Sequence, residues 1–469
     1  MMTMEEVAGV FGIGAPVLRY LFGLLASIPC SWLRRYVPGA TGRHLYAAAT
    51  GALLSYCSFG VTSTVYFGIL MLGSYLSMLM FRRHCGIITF VHAFAILLTC
   101  HVMSMRGEKS NTTGGHSIGA MMVLTLKVIS AAINYQDGLI QDEDSLRNAQ
   151  KNCRLQELPS PIAFIGYCLN CGTHLAGPVF EIRDYLDWTE NKGLWSPTAA
   201  MQPPSPYKFA LVAILKAFAC MGLYMYLMNY FTIQQLSGAE YQRWGIWNRI
   251  GYQYLCAFTA RWKYYIVWSL SETSMIISGF GFSGWTKASP SEEQQSKWTR
   301  AKNVHILQTE LPRSAVEIPV YWNIHVGIWL RHYVYERLTR NGEKSGFMQL
   351  FATQLTSAVW HGLYPGYMVF FVNTVVMIAG ARVLYRWWKL IPEKAVVARH
   401  LATFVNGLYA VVVINLTSIA FMLLDYAHTM AAFRSVYYIG TWIPFLVMVL
   451  GPVIKVPSTE RKQRAKKEE

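Results

Sequence analysis

The chain has 469 residues, of which 53% are hydrophobic and 14% charged, where an ordinary soluble domain carries roughly a quarter charged residues. That deficit excludes most soluble classes, and the apolar content excludes disorder and coiled coil. The 41 basic against 25 acidic residues give a formal +16, which in a membrane protein marks cytosolic loops facing anionic headgroups rather than a nucleic-acid surface. The N-terminal MMTMEEVAGV places acids where a secretory signal has bases, so no cleaved signal peptide is expected. From Leu45 to Phe81, and again from Cys85 to Met105, there is no Lys, Arg, Asp or Glu. A span needs about 20 apolar residues, so these two stretches supply two or three membrane helices. Further apolar runs lie at roughly 10–29, 118–135, 161–180, 208–231, 252–279, 316–336, 347–360, 365–390, 401–425 and 434–454. The expectation is an all-α polytopic integral membrane protein with about ten or eleven crossings. Fifteen Trp and 28 Tyr suit its two interfaces.

Residues 1–454 are read as one transmembrane domain and 455–469 as a basic, disordered cytosolic tail. Its ending, Lys466-Lys467-Glu468-Glu469, has the form of a KKxx retrieval signal. This implies residence in the endoplasmic reticulum membrane, a cytosolic C-terminus and a retrieval coat as partner. Three polar intervals, 136–160, 181–207 and 285–317, separate helices. Asn111 opens a glycosylation sequon that matters only if its loop is luminal. The nine cysteines are scattered and read as small buried hydrophobes, because the single pair Cys168 and Cys171 has no second pair to complete a zinc site.

The twelve histidines lack the close spacing of a diiron desaturase, and His92, His101, His325 and His332 read as interhelical hydrogen-bonding groups rather than haem ligands. His361 differs. It stands in SAVWHGLYPGY, where an apolar helical run meets Gly362, Pro365 and Gly366. A histidine at a break in a membrane helix points to a lined cavity, since irregular backbone at that depth must face protein or water. Upstream, YWNIHVGIWLRHYVYERL carries Asn323 in an aromatic helical segment.

These two segments resemble the paired Asn and His motifs of the membrane-bound O-acyltransferase superfamily, in its lysophospholipid acyltransferase branch. LTLKVISAAINYQDG at 124–138, LAGPVFEIRDY at 175–185, FGFSGW at 280–285 and AAFRSVYYIG at 431–440 extend the resemblance in order. It runs from about residue 45 to 450, departing at His325, Val326 and the NCGTH run of 170–174. The resemblance implies helices around a substrate tunnel that opens to cytosolic acyl-CoA and membrane-borne lysolipid. It also implies acyl transfer to a lysophospholipid hydroxyl, with acyl-CoA as co-substrate and no tightly bound cofactor or metal.

Chemistry agrees with this expectation. Removing a proton from a weakly acidic alcohol near neutrality suits histidine, and His361 is the candidate general base. Asn323 is the candidate donor to the developing oxyanion, or an orienting group for the thioester or His361. Ser357, one helical turn before His361, opens a covalent route, but no acid lies near to orient such a pair, so direct transfer is preferred. Trp322, Trp360, Tyr364 and Tyr367 are candidate channel-lining residues. Lys127, Arg331 and Arg337 are candidate phosphate contacts, with snorkelling as the alternative. Competing functions are acylation of diacylglycerol, sterol or protein on the same scaffold, or lipid transport in which His361 only binds a polar group.

Overall fold

The computed structural model describes residues 14–106, 114–198, 202–286, 294–339 and 346–451, with residues 5, 6, 9 and 453. Asn111, Glu292, Glu293 and the tail 455–469 with Lys466 and Lys467 lie outside the described residues. Helix α1, Ala15–Leu33, begins with Pro16 in its first turn, where a missing N–H is harmless. Helix α2, Ala40–Met80, has 41 residues and straight would be ~60 Å long, about twice the bilayer core. It breaks at Gly60, whose φ of 80° and ψ of 179° leave the helical region. Then come α3, Cys85–Met105, and α4, Gly114–Asp137. Among the short helices that follow are α5, Pro161–Cys168, and α6, Ile182–Thr189. The long α7, Tyr207–Leu227, and α8, Ile246–Ile277, come next. The C-terminal part contains α9, Ile324–Leu330, α10, Phe347–His361, α11, Pro365–Trp388, and α12, Val396–Leu423. It closes with α13, Tyr426–Ser435, and α14, Ile439–Leu450. Between α8 and α9 a two-residue ribbon pairs Gly284 with Lys297 and Trp285 with Ser296.

By length and composition, seven described segments are able to cross a membrane: 15–36, α2, α3, 117–137, α7, α11 and α12. The α13–α14 pair, bent by 76°, brings the count to eight at most. This is fewer than the ten or eleven expected, and the apolar runs at 161–180, 316–336 and 347–360 account for much of the difference. They fold into short helices such as α5, α9 and α10, whose apolar faces pack on other protein elements. Helix α8 is long, yet it carries Arg261, Lys263 and Glu272. Two of these charges are paired, Arg261 with Glu310 at 2.6 Å and Glu272 with Lys216 of α7 at 2.5 Å. Pairing is what allows such groups at helix–helix contacts.

The long helices pack in neighbouring pairs, α7 along α8, α3 along α4 and α11 along α12. Helix α4 is the most enclosed of the seven spans, with Leu124, Thr125, Lys127, Val128, Ile129, Ala131 and Ala132 fully buried. By contrast α2 and α7 expose rows of large apolar side chains, including Leu53, Val61, Leu72, Leu211 and Leu215. That distribution, apolar outside and polar networks inside, suits a lipid solvent. At Gly51 of α2 the crossing chain comes so near that a Cβ would lie 1.6 Å from the Leu169 carbonyl oxygen, so only glycine fits.

Candidate active site

Helix α10 ends at His361, its final residue. Gly362 then takes φ +130°, a conformation that strains any residue with a Cβ, and Pro365 starts α11. The helix is held in place by Trp360, whose Nε1–H donates to the Met122 carbonyl of α4 at 3.0 Å. The Nδ1 of His361 lies 2.7 Å from the Ser357 carbonyl oxygen. A carbonyl only accepts, so Nδ1 carries the proton and Nε2 keeps its lone pair. Among the described residues no hydrogen bond joins His361 to the Ser357 hydroxyl. The imidazole is partly buried among four rings, with centroid distances of 4.7 Å to Trp360, 4.9 Å to Phe371, 5.2 Å to Phe421 and 5.8 Å to Tyr367.

Asn323 stands at the head of α9 with φ 46° and ψ 53°, a left-handed conformation that asparagine tolerates better than most residues. Its side chain is oriented by Asn303. The Oδ1 of Asn303 accepts from the His325 backbone N–H at 3.1 Å, which fixes its Nδ2 toward the Asn323 Oδ1 at 3.0 Å. The Ile324 N–H also donates to the Asn303 carbonyl at 3.0 Å. With Oδ1 of Asn323 occupied, its Nδ2 meets no acceptor among the described residues. Trp322 beside it packs edge-on against Trp268, Tyr264 and Tyr265, at 4.9, 5.5 and 5.8 Å between centroids. Among the described residues no hydrogen bond links Asn323 to His361.

One side of α9 faces a cavity of about 490 Å³. Its walls come from 179–184, 299–305 and α9, and they present Glu181, Asp184, Arg300, Lys302, His305 and His325. Arg300 pairs with Asp184 at 3.0 Å. Glu181, within hydrogen-bond reach of Asn134 and Tyr333, is raised to about 6, chiefly by burial. The Tyr333 hydroxyl lies 2.9 Å from Asn134 Oδ1 and donates to Glu181 Oε2 at 2.8 Å, and Asn134 Nδ2 donates to the same Oε2 at 2.8 Å. These donors oppose the effect of burial on the carboxyl without cancelling it.

Helix α9 continues into a π-helical turn at Arg331–Tyr335, a feature frequent at functional sites. Three contacts at i, i+4 and i+8 fasten this segment to α4. The Trp329 Nε1–H donates to the Leu126 carbonyl at 3.0 Å, Tyr333 meets Asn134, and Arg337 grips Asp137 in a fork of 2.9 and 2.5 Å.

The structure thus places His361, Trp360 and Tyr367 in one aromatic box, with Tyr364 against Tyr367 at 5.7 Å. Asn323 and Trp322 lie at the start of α9. The three basic candidates are used inside the protein or at its surface. Lys127 is fully buried, and its Nζ donates to the Tyr167 carbonyl at 2.5 Å, the Cys168 carbonyl at 3.1 Å and Thr173 Oγ1 at 3.4 Å. Arg337 is committed to Asp137, and the exposed Arg331 to Glu336 at 2.8 Å. Asn303, Phe371 and Phe421 were not singled out from the sequence. Asn303 is one amide in a polar loop, and the two phenylalanines resemble every other apolar residue of their helices.

A family profile described as MBOAT, membrane-bound O-acyltransferase family, matches residues 107–424. The chain is 52% identical over 469 residues, all of both chains, to "Lysophospholipid acyltransferase 1" of Arabidopsis thaliana. It is 50% identical over 464 residues, 99% of each chain, to "Lysophospholipid acyltransferase 2" of the same plant. At 27% identity, covering 94% of this chain and 84% of the relative, it resembles "Membrane-bound glycerophospholipid O-acyltransferase 2" of Mus musculus.

Proposed function

The chain belongs to the membrane-bound O-acyltransferase family, and from that premise we propose that it transfers a fatty acyl group from acyl-CoA to the free hydroxyl of a lysophospholipid, with His361 as general base. The acceptor is supported by relatives of about half identity over the whole chain that carry the name lysophospholipid acyltransferase. The observation that carries the mechanism is the Nδ1 contact of His361 with the Ser357 carbonyl, which leaves Nε2 as an unspent base at a helix break.

The lysolipid hydroxyl gives its proton to Nε2 as its oxygen attacks the thioester carbonyl carbon. Negative charge gathers on the carbonyl oxygen, where a fixed donor in a dry site contributes about 3 kcal/mol. The free Nδ2 of Asn323 is assigned that role, with Asn303 holding its orientation. When the intermediate collapses, the carbon–sulfur bond breaks and the imidazolium returns its proton to the departing thiolate. The thioester already activates the acyl group, so no metal or tightly bound cofactor enters this scheme. Direct transfer is favoured over an acyl-enzyme because His361 engages the backbone of Ser357 and not its hydroxyl.

The cavity beside α9 is the proposed seat of the polar part of acyl-CoA, with its phosphates toward Arg300 and Lys302. Trp322, Trp360, Tyr364 and Tyr367 line the path of the acyl chain or lysolipid. Lys127 and Arg337 serve this reading as structural cations. The KKxx form of the Lys466-Lys467 ending supports residence in the endoplasmic reticulum membrane with a cytosolic C-terminus and a retrieval coat as partner.

Labelled oleoyl transfer from CoA to a panel of lysophospholipids, in membranes holding the wild-type chain or His361→Ala, tests this. Product is expected with wild type alone. Transfer to diacylglycerol, sterol or protein with lysophospholipids inert moves the assignment to another acceptor. Lipid redistribution without acyl-CoA, unchanged in His361→Ala, replaces it with transport.

A further inference from the structure

The end of α10 raises a problem that His361 does not solve. Where a helix stops, its last carbonyls have no partner within the helix, and inside a bilayer an unpaired carbonyl costs several kcal/mol. Gly362 turns away at φ +130°, ending the ladder. The carbonyl of Trp360, the residue before the base, is met from another helix. His101 of α3 places Nε2 3.2 Å from that oxygen. A carbonyl only accepts, so Nε2 of His101 carries the proton. His101 is 3% exposed, and it sits where a Gly362 side chain would be: a Cβ there would lie 3.0 Å from its Nδ1 and 3.2 Å from its Cε1. The glycine therefore both ends the helix and makes room for the ring that caps it.

We propose that His101 is a positioning residue for the acyl transfer, acting as a side-chain cap on the Trp360 carbonyl that holds His361 at its working place. The inference rests on His361 being the base. Trp360 is then pinned twice, its indole to the Met122 carbonyl of α4 and its own carbonyl to His101 of α3. Two helices fix the peptide from which the base extends. Loss of either lets the final turn fray and moves Nε2, and a displacement on the order of 1 Å costs up to about a hundredfold in rate.

The test compares His101→Gln, His101→Met and His101→Asn in purified full-length protein, with kcat and KM measured on equal amounts of monodisperse enzyme. Glutamine presents an N–H donor near the position of Nε2, methionine fills the space without one, and asparagine is one methylene too short. His101→Met is expected to lose about tenfold or more in kcat with KM within about twofold, and His101→Gln to keep kcat within about threefold of wild type. Wild-type kcat in His101→Met, or equal damage in His101→Gln, overturns the proposal. If His101→Met yields no monodisperse protein, the remaining pair decides: activity in Gln with loss in Asn supports the cap, and equal activity in the two removes it. Transfer persisting in His361→Ala, run alongside, brings down the reading of the base itself.

Discussion

Asn303 donates its side-chain N–H to Oδ1 of Asn323 at 3.0 Å while its own Oδ1 accepts the His325 backbone N–H. This pairing decides which end of the Asn323 amide is free, because the backbone N–H cannot be flipped. Asn303→Asp keeps the acceptor for His325 and removes the donor to Asn323, so the Asn323 amide is released to rotate. A hydrogen bond that orients a catalytic donor is worth about 1–3 kcal/mol, so kcat is expected to fall by about ten- to a hundredfold with a small change in KM. Asn323→Asp should lose at least as much. Saturating acyl-transfer rates check both, and an Asn303→Asp enzyme as fast as wild type means that Asn303 does not set the amide.

Glu181 supplies a pH test. Burial raises it from an ordinary 4.5 to about 6, so the folded protein holds this proton more tightly than the unfolded chain. The contribution to stability is full below about pH 4.5 and is lost as pH rises through about 6, a difference of roughly 2 kcal/mol. Glutamine buries no charge, and its Oε1 placed where Oε2 stands accepts from both Tyr333 and Asn134. Thermal unfolding in detergent should therefore show Glu181→Gln above wild type at pH 7, with the gap closing near pH 5. A constant gap across that range would mean that Glu181 is already ionised in the fold.

The fork between Arg337 and Asp137 is unequal, since the aspartate side chain is 4% exposed and the arginine 30%. Removing the arginine strands a buried carboxylate, left with Gln150 Nε2 at 3.3 Å. Removing the aspartate charge leaves a cation that water reaches. Breaking a buried pair from the side that strands the charge costs about 3 kcal/mol, so Arg337→Met is expected to destabilise more than Asp137→Asn, and the double variant to regain part of the loss. A double-mutant cycle on unfolding measures this; equal single effects that simply add would show that the pair is not coupled.

His361 was legible in the sequence because a histidine followed by Gly362, Leu363, Tyr364, Pro365 and Gly366 announces a helix that stops at an ionisable group. Asn323 was legible as a polar residue in an aromatic run. Their supports were not. Asn303 and His101 act through pairings 20 and 259 residues apart in the chain, and nothing local distinguishes them from a loop amide or a helix-packing histidine. Seven or eight described segments are long and apolar enough to cross, against ten or eleven expected, for a related reason: hydropathy registers that residues 161–180 or 347–360 are apolar, not whether lipid or protein covers them. Helix α8 shows the converse, its Arg261 and Glu272 lowering its hydropathy although both charges are paired inside the protein.

Lys127 shows how a charge in an apolar run misleads. Read alone, an intramembrane lysine next to a substrate tunnel invites a phosphate. Its three donors instead hold the Tyr167 and Cys168 carbonyls and Thr173 where α5 ends, and its ammonium lies 4.6 Å from the Tyr167 ring centroid. The two roles separate by experiment. Lys127→Met leaves two buried carbonyls without their donor, so stability should fall by about 3 kcal/mol, while the KM for acyl-CoA of the protein that folds stays within about twofold. A phosphate contact predicts the reverse, a KM raised about tenfold or more with unfolding little changed. Unfolding curves and acyl-CoA titrations on the same preparation discriminate them, and a raised KM in a stable variant returns Lys127 to the substrate site.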